Sequence, residues 1–128
     1  GLLDFKGRKL TYSNFGHPPQ ILYRKSDSEI IYMESQTFLM GIGMDEGGVY
    51  QMTIDFEKGD KIFLFTDGII EAKAPSGEMY GNKRFEEFVR QHGALYVADF
   101  NEKLMEELKE FQNGEQSDDI FLLSIQIK

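Results

Sequence analysis

The sequence predicts an α+β domain in which antiparallel strands fill the first half, two helices follow, and a last strand returns to the sheet. Three observations carry this. Short apolar stretches separated by turn residues run from Leu10 to Phe65, two stripes at helical spacing occupy residues 85–111, and Ile120 to Ile127 is again strand-like. At 128 residues, with 41% apolar content, 11 Phe and 6 Tyr, the chain fits one domain with one core.

Leu10 to Phe15 alternates apolar and polar side chains, as a half-buried strand does, and stops at Gly16-His17-Pro18-Pro19. Ile21 to Tyr23 and Ile30 to Met33 flank the polar tip Lys25 to Glu29 and predict a hairpin. Beyond Gly47-Gly48, the residues Val49, Met52, Ile54 and Phe56 predict a strand whose alternation slips at Gln51. The turn Glu57 to Asp60 leads into the strand Ile62 to Phe65. After the loop Lys73 to Gly81, Phe85, Phe88 and Val89 share one helical face, with Gly93 as the stop. A second helix carries Phe100, Leu104, Leu108 and Phe111 on one stripe, with Asp99 and Glu102 as its capping box and Gly114 at its end. Both stripes are core positions. No repeat, low-complexity tract or linker interrupts the pattern.

A formal charge of −8 and no Lys/Arg stripe argue against nucleic acid as a direct ligand. The absence of cysteine excludes disulfides, thiolate metal sites and cysteine nucleophiles. Apolar runs of four or five residues fall far short of the ~20 needed to span a bilayer, and no leader pattern opens the segment, so a cytoplasmic location without membrane contact is expected. A chain opening on Gly1 that enters a strand-like pattern almost at once suggests a segment of a longer protein.

The stretch Phe63-Leu64-Phe65-Thr66-Asp67-Gly68 runs an apolar strand into a carboxylate. A carboxylate at a strand end needs a partner, a hydrogen bond or a metal, and Gly68 behind it admits close approach of backbone, water or ligand. Asp-Gly is equally a common turn pair, and these two residues alone leave both readings open. Ser117-Asp118-Asp119 immediately precedes the last strand, so a second acidic spot lies at a strand end. Neighbouring side chains on a strand point to opposite faces, so only one of Asp118 and Asp119 enters a shared site unless a bulge intervenes. Oxygen donors without cysteine, and with only two histidines, suit Mg²⁺ or Mn²⁺ better than zinc. Two carboxylates are few for a two-metal site. His17 is a base or ligand candidate in a Pro-braced turn that also suits a structural hydrogen-bonder, and Glu71 either orients the strand-end loop or is a solvated charge. His92 lies near a helix C-terminus, no catalytic triad is apparent, and Gly41-Ile42-Gly43 lacks the third glycine of a dinucleotide fingerprint.

In order, Ser13 to Pro19, Met40-Gly41-Ile42, Lys58-Gly59-Asp60, Phe65 to Ala72, Gly77 to Gly81 and Gln116 to Ile120 resemble the metal-dependent serine/threonine protein phosphatases of type 2C, in the bacterial branch typified by sporulation stage II protein E. The resemblance covers nearly the whole chain from Leu10. It implies an α-β-β-α sandwich with two Mn²⁺ or Mg²⁺ ions at one end of paired sheets, and ligation by Asp67 and Asp118; Gly68, Asp119, Glu71 and His17 are the supporting candidates from the residues themselves. Phe121 replaces the family's usual Thr after the Asp-Asp pair. The family's early Gly-Asp-Val motif, which supplies the metal-bridging Asp, does not occur here, so residues 1–128 are expected to be the C-terminal portion of the catalytic domain of a longer signalling protein.

By resemblance, the parent would remove phosphate from phosphoserine or phosphothreonine of a regulatory protein, an anti-sigma-factor antagonist, by in-line attack of a metal-bridging hydroxide without a phosphoenzyme. An upstream sensor or regulatory domain is the implied partner. The isolated segment is expected to be inactive and to self-associate through uncovered sheet surface. Two other readings compete: a non-catalytic phosphatase-like interaction module, and a stand-alone β-rich ligand-binding domain whose acidic strand ends are turns.

Overall fold

A computed structural model describes residues 1–14, 16–34, 51–114 and 119–128. Two sheets and one helical layer stack around a shared four-stranded wall. Strands β1 (Leu2–Asp4), β2 (Lys9–Tyr12) and β5 (Met52–Asp55) form one antiparallel sheet in the order β1-β2-β5. Strands β3 (Gln20–Tyr23), β4 (Ile30–Met33), β6 (Lys61–Phe65) and β7 (Leu122–Gln126) form the other, ordered β4-β3-β6-β7 and antiparallel throughout. Helices α2 (Gly81–His92) and α3 (Val97–Phe111) cover its far face.

The side-chain period of two explains the layering. In β6, Phe63 and Phe65 point to the helices while Ile62 and Leu64 point to the three-stranded sheet. In β3, Ile21 and Tyr23 take the helix side and Leu22 the other. The expected single core is therefore divided by its own sheet into two apolar layers. The helix-side layer is aromatic: Phe63 stacks on Phe100 at 4.3 Å, and Phe65 meets Phe85 edge-on at 4.7 Å. The inter-sheet layer is mainly aliphatic, Phe56 and Tyr12 apart, with the paired row Leu3, Leu10 and Ile54 facing Leu22, Met33 and Ile62. Each such burial contributes roughly 1.5–3 kcal/mol.

The predicted hairpin forms, with Leu22 opposite Ile31, and both helical stripes are buried as expected, Phe111 only partly. Several details differ from the sequence expectations. The strand expected over Leu10 to Phe15 ends at Tyr12, because Asn14 folds the following turn onto itself. Helix α3 starts at Val97 with Tyr96 as N-cap and no side-chain cap bond, so the Asp99–Glu102 capping box is not formed; Asp99 lies inside the first turn, where its charge favours the helix dipole. Helix α2 does stop at Gly93, at φ −59 and not in a left-handed conformation. Glycine is required there for contact: a Cβ would stand 2.6 Å from both the Tyr23 ring and the Val89 carbonyl oxygen. Met52 is half exposed although its strand neighbour Ile54 is in the layer. A third helix, α1 (Asp67–Ile70), is only four residues long and was not expected. Phe15, Val49, the motif Met40-Gly41-Ile42, Gly41-Ile42-Gly43, Gly47-Gly48 and Gln116 to Asp118 lie outside the described residues.

The Lys58-Gly59-Asp60 turn closes on a buried carboxylate. Asp60 accepts from Arg24 Nη1 at 2.8 Å, Lys25 N at 3.0 Å and Glu57 N at 2.9 Å. Beside it, Lys61 is 2% exposed and donates to the Gly93 carbonyl at 2.6 Å, tying the start of β6 to the end of α2. Burial, with Lys25 adding repulsion and Asp60 opposing, holds the Lys61 ammonium below its ordinary pKa. The loop 73–80 is a small hairpin that ends on buried Tyr80, whose hydroxyl donates to Glu107 of α3 and whose ring meets Phe111 at 5.4 Å.

Candidate metal centre

The apolar run of β6 leads directly into Thr66-Asp67-Gly68, and each of these three residues has a different task. Thr66 continues the ladder to β7: its N–H donates to the Phe121 carbonyl at 3.2 Å, and its hydroxyl accepts from Phe121 N at 3.2 Å. Asp67 is the first residue of α1, and its side chain is exposed. Gly68 is buried with its α-carbon against the main chain of Asp119, so closely that a Cβ would collide with the Asp119 carbonyl oxygen. Asp67-Gly68 is thus a strand-to-helix junction and not the end of a hairpin. Nor is its carboxylate buried, as the apolar run before it suggested; it leaves the sheet at the surface while Gly68 occupies the confined position.

The same contact brings the two acidic segments side by side. Asp119 is described and exposed, and Asp118 lies outside the described residues. Glu71 is exposed and closes α1 with its main chain, its N–H donating to the Asp67 carbonyl at 2.8 Å. His17 is exposed, and its N–H donates to Asn14 Oδ1 at 3.3 Å. His17 and Thr66 both line a cavity of about 440 Å³ between the sheets; Asp67 is not among its lining residues. The rest of that lining is largely apolar, including Leu10, Leu64, Phe121 and Ile125, with Tyr12, Ser13, Asn14 and Gln20 as its other polar members and no carboxylate among them.

Among the described residues, no group of three or more His, Cys, Asp or Glu side chains could by itself hold a metal ion. Among the described residues, Asp67, Glu71 and Asp119 are hard oxygen donors of the kind Mg²⁺ and Mn²⁺ take, too few to complete a shell. Two residues that sequence reasoning missed organise the surroundings of the junction, Asn14 in the neighbouring turn and Gln20 at the strand end before it. Asn14, buried at 7% exposure, donates to the carbonyls of Pro18 and Met33 at 3.2 Å each. Gln20 bonds both the N–H and the carbonyl of Phe65, with N···O distances of 2.6 and 3.2 Å. The only signal for Asn14 was its place in the Ser13 to Pro19 motif, and for Gln20 there was none.

Among known proteins, the chain is 25% identical over 120 residues to phosphoserine phosphatase RsbU of Bacillus subtilis, covering 94% of this chain and 35% of that protein. The SiaA-PP2C domain of Pseudomonas aeruginosa superposes with a TM-score of 0.77 at 22% identity, over 98% of this chain and 49% of that one. The Mn-presoaked phosphatase domain of the cell fate determinant SpoIIE from Bacillus subtilis gives 0.72 at 17%, over 98% and 54%. The chain thus spans about a third of its curated relative and about half of the solved domains, with which it shares the PP2C fold. The family model for stage II sporulation protein E (SpoIIE) matches residues 1–128, the whole sequence, and the chain belongs to that family.

Proposed function

We propose that this chain supplies part of the metal centre of a protein serine/threonine phosphatase, acting on phosphoserine or phosphothreonine of a regulatory protein of the anti-sigma-factor-antagonist class. The observation that carries the reading is the packing of Gly68 on the Asp119 main chain, which sets the Thr66-Asp67-Gly68 junction beside the residue that follows Asp118 in sequence. Asp67 and Asp118 would hold the ions, Mn²⁺ or Mg²⁺; the remaining ligands would come from residues outside this chain, in keeping with its span of about half of the solved phosphatase domains. A bound divalent pair supplies an activated water and a clamp for phosphoryl oxygens, chemistry that needs no protein nucleophile.

The residues present divide the remaining work. Thr66 fixes the strand end by its two bonds to Phe121, which leaves the Asp67 carboxylate free to face solvent. Asp119, whose main chain packs on Gly68, would serve as support. The relative's name, phosphoserine phosphatase, supports the substrate class. A sensor or regulatory domain elsewhere in the parent chain is part of the same reading, as is a cytoplasmic location. No helix of the described residues is long and apolar enough to cross a membrane.

The test uses the full-length protein with Mn²⁺ and an aryl phosphate. Hydrolysis that depends on Mn²⁺ and is lost in Asp67→Ala is the expected result. Full turnover in Asp67→Ala would sink the assignment, and binding of a phosphoprotein without metal or turnover would favour a non-catalytic module.

A further inference from the structure

The pairing of β3 with β6 stops before it reaches the Thr66-Asp67-Gly68 junction. Its register is Ile21 opposite Phe63, and continuing it would set Pro19 opposite Phe65. Main-chain groups alternate sides along a strand: Thr66 N–H points to β7, where it meets Phe121, so the N–H and carbonyl of Phe65 point to β3. A residue opposite Phe65 would have to donate one hydrogen bond and accept another. Proline has no N–H to give.

The Gln20 carboxamide fills that role. Its Oε1 accepts from Phe65 N at 2.6 Å, and its Nε2 donates to the Phe65 carbonyl at 3.2 Å and to the Pro18 carbonyl at 2.8 Å. The orientation of the amide is fixed by chemistry, because an N–H donor at Phe65 requires oxygen opposite it. Main-chain pairing of Gln20 with Met33 on β4 anchors the residue itself. One side chain thereby acts as a surrogate peptide, joining the Asn14 to Pro18 turn to the last residue before Thr66-Asp67.

We infer that Gln20 is a positioning residue for the Thr66-Asp67-Gly68 junction, holding Asp67 at the angle from which it reaches a divalent cation. The functional half of this inference rests on the metal reading above. Without the surrogate, Phe65 would lose both partners on its β3 side. The first turn of α1, held by Ile69 N to Thr66 O at 3.3 Å and Glu71 N to Asp67 O at 2.8 Å, would then hinge on β7 alone.

The experiment compares wild type, Gln20→Leu and Gln20→Glu in the full-length protein. Leucine keeps the bulk without hydrogen bonds; glutamate keeps the acceptor for Phe65 N but sets a carboxylate against two carbonyls. Hydrogen exchange without metal, followed by mass spectrometry, should rise about tenfold in peptides covering residues 63–72 and stay unchanged over 100–111, which reports that the fold is intact. Mn²⁺ affinity by calorimetry should fall about 10–100-fold in Gln20→Leu, the range for partners that orient metal ligands, and less in Gln20→Glu. Unchanged exchange over 63–72 would overturn the anchoring. Faster exchange with unchanged Mn²⁺ affinity would overturn the positioning role and leave a purely structural bond. If wild type itself binds no Mn²⁺, the metal reading fails and the positioning role with it, while the exchange data still decide the anchoring.

Discussion

The α-carbon of Gly68 rests on the main chain of Asp119, backbone against backbone, with no room for a methyl group between them. Neither side can swing away, since Thr66 is bonded twice to Phe121 and α1 begins at Asp67. Gly68→Ala is therefore expected to cost about 1–3 kcal/mol, the range for overpacking, and to weaken Mn²⁺ binding in the full-length protein. Urea unfolding and calorimetry check the two effects. A neutral substitution would mean that the two segments part easily.

Asp67 should behave in the opposite way. Its carboxylate is exposed and makes none of the bonds that hold the junction, so Asp67→Asn should change stability by no more than about 0.5 kcal/mol. Its Mn²⁺ response should nonetheless be lost. Thermal unfolding with and without Mn²⁺ separates these: wild type gains stability from the ion, and the variant does not.

Tyr80 gives a pH dependence of defined sign. Burial, then the hydrogen bond to Glu107 and that residue's charge, raise its folded pKa well above the ordinary 10.0. Its contribution is therefore complete below pH 10.0 and is lost as pH rises from there toward the folded value, because the unfolded phenol ionises first. Tyr32, pushed up to about 12 by burial and by its bond to Glu86, acts in the same direction. Lys61, with a lowered pKa, acts in the opposite one and adds stability as pH approaches 10.5. The measurable quantity is the difference between wild type and Tyr80→Phe in urea unfolding. It should be about 1.5–3 kcal/mol near neutrality, as for a hydrogen bond to a charged group, and shrink above pH 10.

At the opposite end of β6, Asp60→Ala removes the acceptor for two main-chain amides and leaves the Arg24 guanidinium, 18% exposed, without its carboxylate. A loss of about 3–5 kcal/mol is expected. Where the protein remains folded, Mn²⁺ affinity should be unchanged, because Asp60 and Asp67 lie at opposite ends of the strand.

Elements with strong periodicity were legible in the sequence. Phe85/Phe88/Val89 and Phe100/Leu104/Leu108 are buried where helical spacing put them, and the run at 62–65 is the strand its apolar residues predict. Helix α1 was not legible, since four residues are too few to show a period. The start of α3 was misplaced because Asp99 fits a cap by type, whereas the helical backbone already begins at Val97. Within the candidate site, Asp67 and Gly68 stood out because a carboxylate and a bare α-carbon interrupt an apolar run. The part played by Gln20 follows only once Pro19 is known to face Phe65, a relation of long-range register that no local pattern carries.

Strand β6 is gripped by aromatic rings on one side and aliphatic chains on the other. Sliding it by a single position would drive Phe63 and Phe65 into the aliphatic layer and Ile62 and Leu64 into the aromatic one at the same moment. Its travel along its own axis is thus vetoed twice, and whatever is attached to its tip inherits that immobility. Any signal that adjusts the Asp67 carboxylate has to act downstream of Phe65, by rotation about the junction and not by a piston stroke through the sheet.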